Sequence, residues 1–145
     1  MAAALFPVLQ CMKKLLLILA LSLPAFADTA LFARYEAVRQ AFLADSLPAA
    51  QKNAIALAAA ARDAKHVIVA QHADAVAKTK TIAKAREHFG LVSKAMLEVH
   101  SATAKDGRPA VYSCPMVKKS WLQPKGKIGN PYDTAMATCG ILDRE

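Results

Sequence analysis

The sequence predicts a mainly α domain, an antiparallel bundle of three or four helices that ends in a small C-terminal cap of two short strands around a loop. Three observations predict this fold class. No proline lies between Pro48 and Pro109, and Gly90 is the only glycine in residues 29–105. Apolar residues recur every three or four positions through the same range. After residue 107, prolines and glycines separate short apolar runs, which is typical of turns and short strands.

An N-terminal leader is predicted over residues 1–27. Two lysines precede an apolar run at residues 15–23, and an Ala-x-Ala motif follows at residues 25–27. This order is typical of a signal peptide, and the run is too short for a membrane-spanning helix. Met12 offers an alternative start, because the residues before it add nothing that a signal needs. We therefore expect a periplasmic or secreted protein with no stable membrane span after cleavage.

The chain after the leader carries 17 basic and 11 acidic residues, a net charge of +6. In an exported domain without an aromatic-studded basic motif, this excess does not predict nucleic-acid binding. We interpret it as a solvated basic surface. The sequence has no glycine-rich phosphate loop, no Gly-x-Ser-x-Gly elbow and no His-Glu-x-x-His motif, so it predicts a protein that is not an enzyme.

Residues 28–107 are predicted to form the helical bundle. The core face of the first helix is predicted to contain Leu31, Tyr35, Val38 and Phe42. Residues 44–48 end this helix, and Asp45 or Ser46 is expected to cap a second helix that has Pro48 in its first turn. The second helix has a narrow face of small residues formed by Ala50, Ala54, Leu57 and Ala61.

The rest of the bundle is predicted from residues 64–105. Residues 64–79 fit a helix or a strand, and their length and alanine content favour the helix. The last helix has the clearest pattern. Its predicted core residues are Ile82, Ala85, Phe89, Val92, Met96 and Val99. Gly90 in this helix costs about 1 kcal/mol relative to alanine, so we expect a neighbouring helix to approach closely there.

Residues 108–145 are predicted to form a cap that belongs to the same domain. Two apolar runs, residues 110–114 and 137–142, are interpreted as a pair of short strands. The prolines and glycines between them exclude a helix and indicate an irregular loop of about 20 residues, a length that usually has a function or a covalent constraint. Trp121 and Tyr132 are expected to anchor this loop on the bundle.

Two cysteines and two methionines of the cap have a mirrored arrangement, Cys114-x-Met116 and Met136-x-x-Cys139. Pairing of the two predicted strands would bring these side chains together. Thiolates and thioethers favour Cu(I) or Ag(I), so the four residues form one candidate metal site. A cysteine pair in an exported domain is also typical of a disulfide, which here would stabilise the domain by roughly 3 kcal/mol. The sequence leaves both interpretations open.

The C-terminal residues resemble the signature of a bacterial family of exported helical domains of unknown function. The resemblance is carried by Tyr112, Cys114-Pro115-Met116, Trp121-Leu122, Asn130-Pro131-Tyr132, Met136 and Cys139-Gly140. It implies a domain that occurs alone or attached to adaptor subunits of copper and silver efflux pumps. The Cys-Pro-Met triplet also resembles short heavy-metal-binding modules, although those continue with a histidine where this chain has Val117.

These observations lead to two functional hypotheses. The first is a periplasmic Cu(I)- or Ag(I)-binding domain, a buffer or donor for an efflux system, with Cys114, Met116, Met136 and Cys139 as ligands. The second is a non-enzymatic protein-interaction module stapled by a Cys114–Cys139 disulfide. In this second hypothesis, the loop that contains Trp121 and Tyr132 is expected to present the binding surface.

Overall fold

The computed structural model describes residues 23–102 and 108–145. Its helices are α1 (Leu23–Leu43), α2 (Leu47–Asp63), α3 (Val67–Ala77) and α4 (Ile82–Ala102). The cap contains β1 (Ala110–Cys114), β2 (Lys119–Gln123), a 3-10 helix (Thr134–Met136) and β3 (Ile141–Arg144). The predicted mainly α fold is confirmed. The predicted leader lies outside the described residues except for residues 23–27, which begin α1, and none of the described helices meets the length and hydropathy of a membrane span.

Each helix packs against the next one along the chain, and the core lies on the faces that the periodicity predicts. The fully buried residues of α1 and α2 include Leu31, Tyr35, Val38, Phe42, Ala50, Ala54, Leu57 and Ala61. Along α4, Ala85, Phe89, Val92 and Met96 are buried, whereas Ile82 and Val99 are partly buried at the margin. Because alanine dominates the α2 face, the large side chains of α1 and α4 supply most of the apolar volume.

The turn that joins α1 to α2 and the turn that joins α2 to α3 have the same local structure. Asp45 and Lys65 adopt positive φ values of 52° and 63°, which end the preceding helix in the left-handed region. The residue that follows each of them, Ser46 or His66, is the N-cap of the next helix. Ser46 caps α2, since its side chain accepts a hydrogen bond from the Ala49 amide at 3.4 Å. Of the two predicted caps, Ser46 is therefore the one used.

The helix interpretation of residues 64–79 is confirmed, because residues 67–77 form α3. Val69, Ala73 and Val76 are buried, while Val67 and Ile68 at its start are exposed. The β-branched run therefore lies in a helix. Its buried positions recur every three or four residues, and this spacing lets α3 pack against both α2 and α4.

The cap is a three-stranded antiparallel sheet in the order β2-β1-β3. The prediction of two strands is wrong in number, because the segment interpreted as an irregular loop contains β2, which forms a hairpin with β1. Pro115 and Pro124 exclude a helix here but leave room for five strand residues between them, and Lys118 at φ 53° completes the turn. The last strand begins at Ile141 rather than 137, since residues 137 and 138 form a turn after the 3-10 helix and residues 139 and 140 are irregular.

Two glycines differ in what surrounds them. The expectation that a helix approaches Gly90 is wrong: the flexible side chain of Lys119, from β2, lies 3.4 Å from where a Cβ would be. At Gly140, a Cβ would lie 2.9 Å from both Trp121 Cη2 and Ile128 Cγ2. Gly140 is therefore required by the close approach of the chain to the indole ring.

The same substitution is expected to have opposite effects at these two positions. Gly140→Ala should lower the free energy of unfolding by roughly 1–3 kcal/mol, because the added methyl group overlaps buried side chains. Gly90→Ala should raise it by up to about 1 kcal/mol, because alanine is favoured inside a helix and Lys119 can move. Urea unfolding of both variants measures the difference, and an equal loss in the two would contradict it.

Candidate functional site

A disulfide joins Cys114 and Cys139, with their Cα atoms 5.7 Å apart. Cys114 is buried at the end of β1, and Cys139 is half-buried just before β3. The separation lies within the usual range for disulfides. Of the two interpretations of the cysteines, this structure contains the disulfide, which links the central strand of the sheet to the segment that leads into β3.

The four predicted soft ligands are arranged unequally around this disulfide. Met116 lies in the turn between β1 and β2 with 71% of its surface exposed, whereas Met136 is half-buried at the end of the 3-10 helix. With both sulfurs in the disulfide, neither cysteine is a thiolate. Among the residues that the structure describes, no group of three or more His, Cys, Asp and Glu side chains could hold a metal ion.

Trp121 and Tyr132 attach the cap to the helical bundle. Trp121 is fully buried; its ring stacks on Tyr112 at 6.1 Å between centroids and meets Tyr132 edge-on at 6.1 Å. The Tyr132 ring in turn packs against Phe89 of α4 at 6.0 Å. Because both anchors are buried, they cannot form the exposed binding surface that the second hypothesis expects. A binding surface of the cap has to lie elsewhere.

Two buried tyrosines close the outer edge of β2. The Leu122 amide donates a hydrogen bond to the Tyr35 hydroxyl at 3.2 Å, and the Tyr132 hydroxyl donates to the Ser120 carbonyl at 2.9 Å. Burial raises the pKa of both phenols, so they remain protonated. Two of the backbone groups that β2 directs away from β1, one amide and one carbonyl, are thereby satisfied by side chains.

A buried polar cluster connects the cap to α1. The Gln123 side-chain oxygen accepts hydrogen bonds from the Trp121 indole at 2.9 Å, the Gly129 amide at 3.1 Å and the Arg39 guanidinium at 3.3 Å. Arg39 is buried and forms a bidentate ion pair with Glu36 at 2.7 Å. Its guanidinium also donates to the Gly129 carbonyl. One amide oxygen thus accepts hydrogen bonds from α1, from β2 and from the loop that follows β2.

Sequence reasoning missed Arg39 and Gln123, although one signal was present. Arg39 follows Tyr35 by four residues and precedes Phe42 by three, so it lies on the edge of the predicted core face. A charged residue at such a position indicates a buried partner. The partner itself, Gln123, is 84 residues away and could not be found from local spacing.

Arg86 holds two turns against α4. Its guanidinium donates to the Pro131 carbonyl at 3.1 Å, the Phe42 carbonyl at 3.0 Å and the Asp45 carboxylate at 2.8 Å. The first bond fixes the Asn-Pro-Tyr turn, and the others fix the end of α1. The neighbouring Glu87 instead pairs with Lys84 on the surface. Arg86 therefore has a structural role.

Two surface cavities lie away from the cap. One, of about 430 Å³, lies between α3 and α4 and is lined mainly by apolar residues, together with Lys65, His66 and Glu98. The other, of about 360 Å³, lies at the turn between the same helices beside Lys78, Lys80 and Lys84. Neither is lined by a cysteine or by any cap residue, so neither belongs to the predicted site.

Comparison of the chain with protein-family models, with curated proteins and with solved structures found no match. The resemblance of the cap residues to an exported family therefore stays a prediction.

Replacement of Gln123 tests whether the cap depends on the polar cluster. Gln123→Met keeps a side chain of similar length but leaves three buried donors without their acceptor, so the free energy of unfolding should fall by at least about 3 kcal/mol. Gln40→Met is the matched control, because the Gln40 amide makes one exposed hydrogen bond to Glu36. The control should change stability by less than about 0.5 kcal/mol in the same urea titration. A loss in Gln123→Met no larger than the control's would contradict the role of the cluster.

Proposed function

We propose that this protein is an exported, non-enzymatic protein-interaction module in which Cys114–Cys139 is a structural disulfide. The observation that carries the proposal is the position of the disulfide between the central strand and the segment that leads into β3. Disulfides persist in oxidising compartments, which agrees with the predicted signal peptide and a periplasmic or secreted location.

The small size of β3 explains why a covalent link is useful there. All four residues of β3 are exposed, so hydrophobic burial contributes little to holding the strand in place. Beyond its ladder with β1, β3 has one cross-strand side-chain bond, from the Ser113 hydroxyl to the Asp143 carboxylate at 3.0 Å. An exposed bond of this kind contributes little net stability. The disulfide holds the residue two positions before β3 beside the end of β1.

The disulfide is expected to form during export and to stabilise the cap. The full chain expressed with its leader should be recovered from a bacterial periplasm as a protein that begins at Asp28 and is two hydrogen atoms lighter than the reduced mass. Reduction should lower the free energy of unfolding by roughly 3 kcal/mol, because the open loop gains conformational entropy in the unfolded state. Intact-mass spectrometry and urea unfolding with and without reductant measure both effects.

The control is the double variant Cys114→Ser with Cys139→Ser. Its stability should match that of the reduced wild type and should not respond to reductant. Recovery of the wild type with two free thiols, or with a copper-sized adduct in place of the disulfide, would reject the structural disulfide as the resting state.

The arrangement of the methionines favours a second candidate function, Cu(I) or Ag(I) binding by the reduced protein. Met116 follows Cys114 by two residues and is exposed, and the Cys139 amide donates to the Met136 carbonyl at 2.8 Å. Reduction would therefore offer two thiolates with two thioethers nearby in the chain, a soft ligand set suited to a monovalent ion. Such a domain would act as a buffer or as a donor to an efflux-system protein.

A double leucine variant separates the two functions. Met116→Leu with Met136→Leu conserves side-chain volume, so stability should change by less than about 1.5 kcal/mol. If the reduced wild type binds Cu(I) through these residues, the variant should bind it at least about tenfold more weakly in a competition assay with a chromogenic chelator. Met96→Leu, a change in the bundle core, is the matched control. Equal affinities in all three proteins would exclude the thioethers as ligands.

A further inference from the structure

We infer that the outer edge of β3 is a docking site for an extended, acidic-flanked segment of another protein, which adds to the sheet as a fourth strand. The inference rests on the proposed function and specifies the chemistry of its partner. The two edges of the sheet differ in how far their backbone groups are covered.

The β2 edge is closed, whereas the β3 edge is open. On β2, the Tyr35 hydroxyl accepts from the outward Leu122 amide, and the Tyr132 hydroxyl donates to the outward Ser120 carbonyl. On the other side, no strand among the described residues pairs with β3 beyond β1, and all four of its residues are exposed. A strand edge with unpaired amides and carbonyls is a template for another strand, and proteins usually protect such edges unless they are used.

The register identifies the backbone groups that face outward from β3. Leu122 and Ser120 direct their amide and carbonyl away from β1, so their partners Val111 and Ser113 direct theirs toward β3. Ile141 lies opposite Ser113 and therefore bonds inward. The register is regular as far as Tyr112, so the next residue, Leu142, which lies opposite Tyr112, directs its amide and carbonyl to the outer edge; the shift in register comes beyond it, between Tyr112 and Val111.

Exposed apolar side chains lie on β3 and in the turn between β1 and β2. Ile141 and Leu142 have 55% and 43% of their surface exposed, and Met116 in the adjacent turn has 71%. They are three of the seven large apolar side chains that are exposed in the described part of the chain. Consecutive strand residues point to opposite faces, so an added strand would meet one aliphatic side chain on each face of the sheet.

The charges at the edge favour another protein over a second copy of this chain. Asp143 is bonded to Ser113, and Glu145 pairs with Lys125 at 2.7 Å. The exposed cations Lys118 and Arg144 have no acidic partner among the described residues. Two copies joined at this edge would bring these cations close to each other, and each copy is itself a net positive chain. A strand with Asp or Glu at its ends would instead complement them.

The test selects a phage-displayed library of random twelve-residue peptides on the oxidised full-length chain after export. Enriched peptides should alternate apolar with other residues and carry Asp or Glu near their ends. Their synthetic versions should bind Leu142→Lys at least tenfold more weakly than the wild type, because an edge lysine opposes strand addition. In hydrogen exchange, the Leu142 amide should become protected when the peptide is bound.

Ile55→Lys is the matched control, because Ile55 is also an exposed aliphatic residue, at 62%, but lies on α2. Peptide affinity should be unchanged in this variant. A selection without enrichment, or peptides that bind Leu142→Lys as tightly as the wild type, would overturn the inference. A dimer in analytical ultracentrifugation that Leu142→Lys abolishes would also overturn it, since the edge would then pair with a second copy.

Failure of this inference and failure of the proposed function give different results. If the exported chain contains the disulfide but no peptide depends on Leu142, only the docking site at β3 is wrong. If the exported chain instead carries free thiols or a copper adduct, the structural disulfide is wrong whatever the peptides show.

Discussion

The cap depends on one buried acceptor, the side-chain oxygen of Gln123, which accepts three hydrogen bonds. The donors are Arg39 on α1, Trp121 on β2 and the backbone of Gly129. Each donor is buried, and a buried donor without an acceptor is strongly unfavourable. Gln123 therefore sets the position of the sheet relative to α1, and the aromatic contacts of Trp121 and Tyr132 follow from that position. The ion pair with Glu36 keeps the Arg39 charge compensated on its other side.

The bundle and the cap depend on each other through tyrosine hydroxyls as well as through apolar contacts. Tyr35 belongs to α1, yet its hydroxyl accepts a hydrogen bond from the Leu122 amide of β2. The same hydroxyl is hydrogen-bonded to the Ser93 hydroxyl of α4 at 2.8 Å. The bundle therefore completes the hydrogen bonding of one edge of the sheet. The opposite edge lies farther from the bundle and has no comparable contribution from it among the described residues. The asymmetry of the sheet follows from its attachment to the helices on one side.

The sequence predicted the parts of the structure that local physics determines. The faces that contain Tyr35, Leu57 and Phe89 were predictable because helical periodicity alone places those residues together. The strand β2 was not, since five residues between two prolines carry little periodicity and are stabilised by β1 and by Tyr35. The choice between disulfide and metal at Cys114 was not predictable either, because both need the same two sulfurs near each other. Gln123 gave no signal at all, since its donor Arg39 lies 84 residues away and its nearer donors, Trp121 and Gly129, are brought to it by the fold of the cap.

The disulfide and the open edge are two consequences of the same constraint. A strand that buries its side chains is held in place by the hydrophobic effect. β3 exposes Ile141 and Leu142 and so has little hydrophobic energy to hold it. A covalent link through Cys139 keeps such a strand in register with β1 without covering it. In the proposed docking site the cysteines act indirectly: the sulfurs need not touch a ligand, because their effect is to keep an exposed strand ordered. A strand ordered before binding loses less conformational entropy when a partner adds to it, which favours affinity.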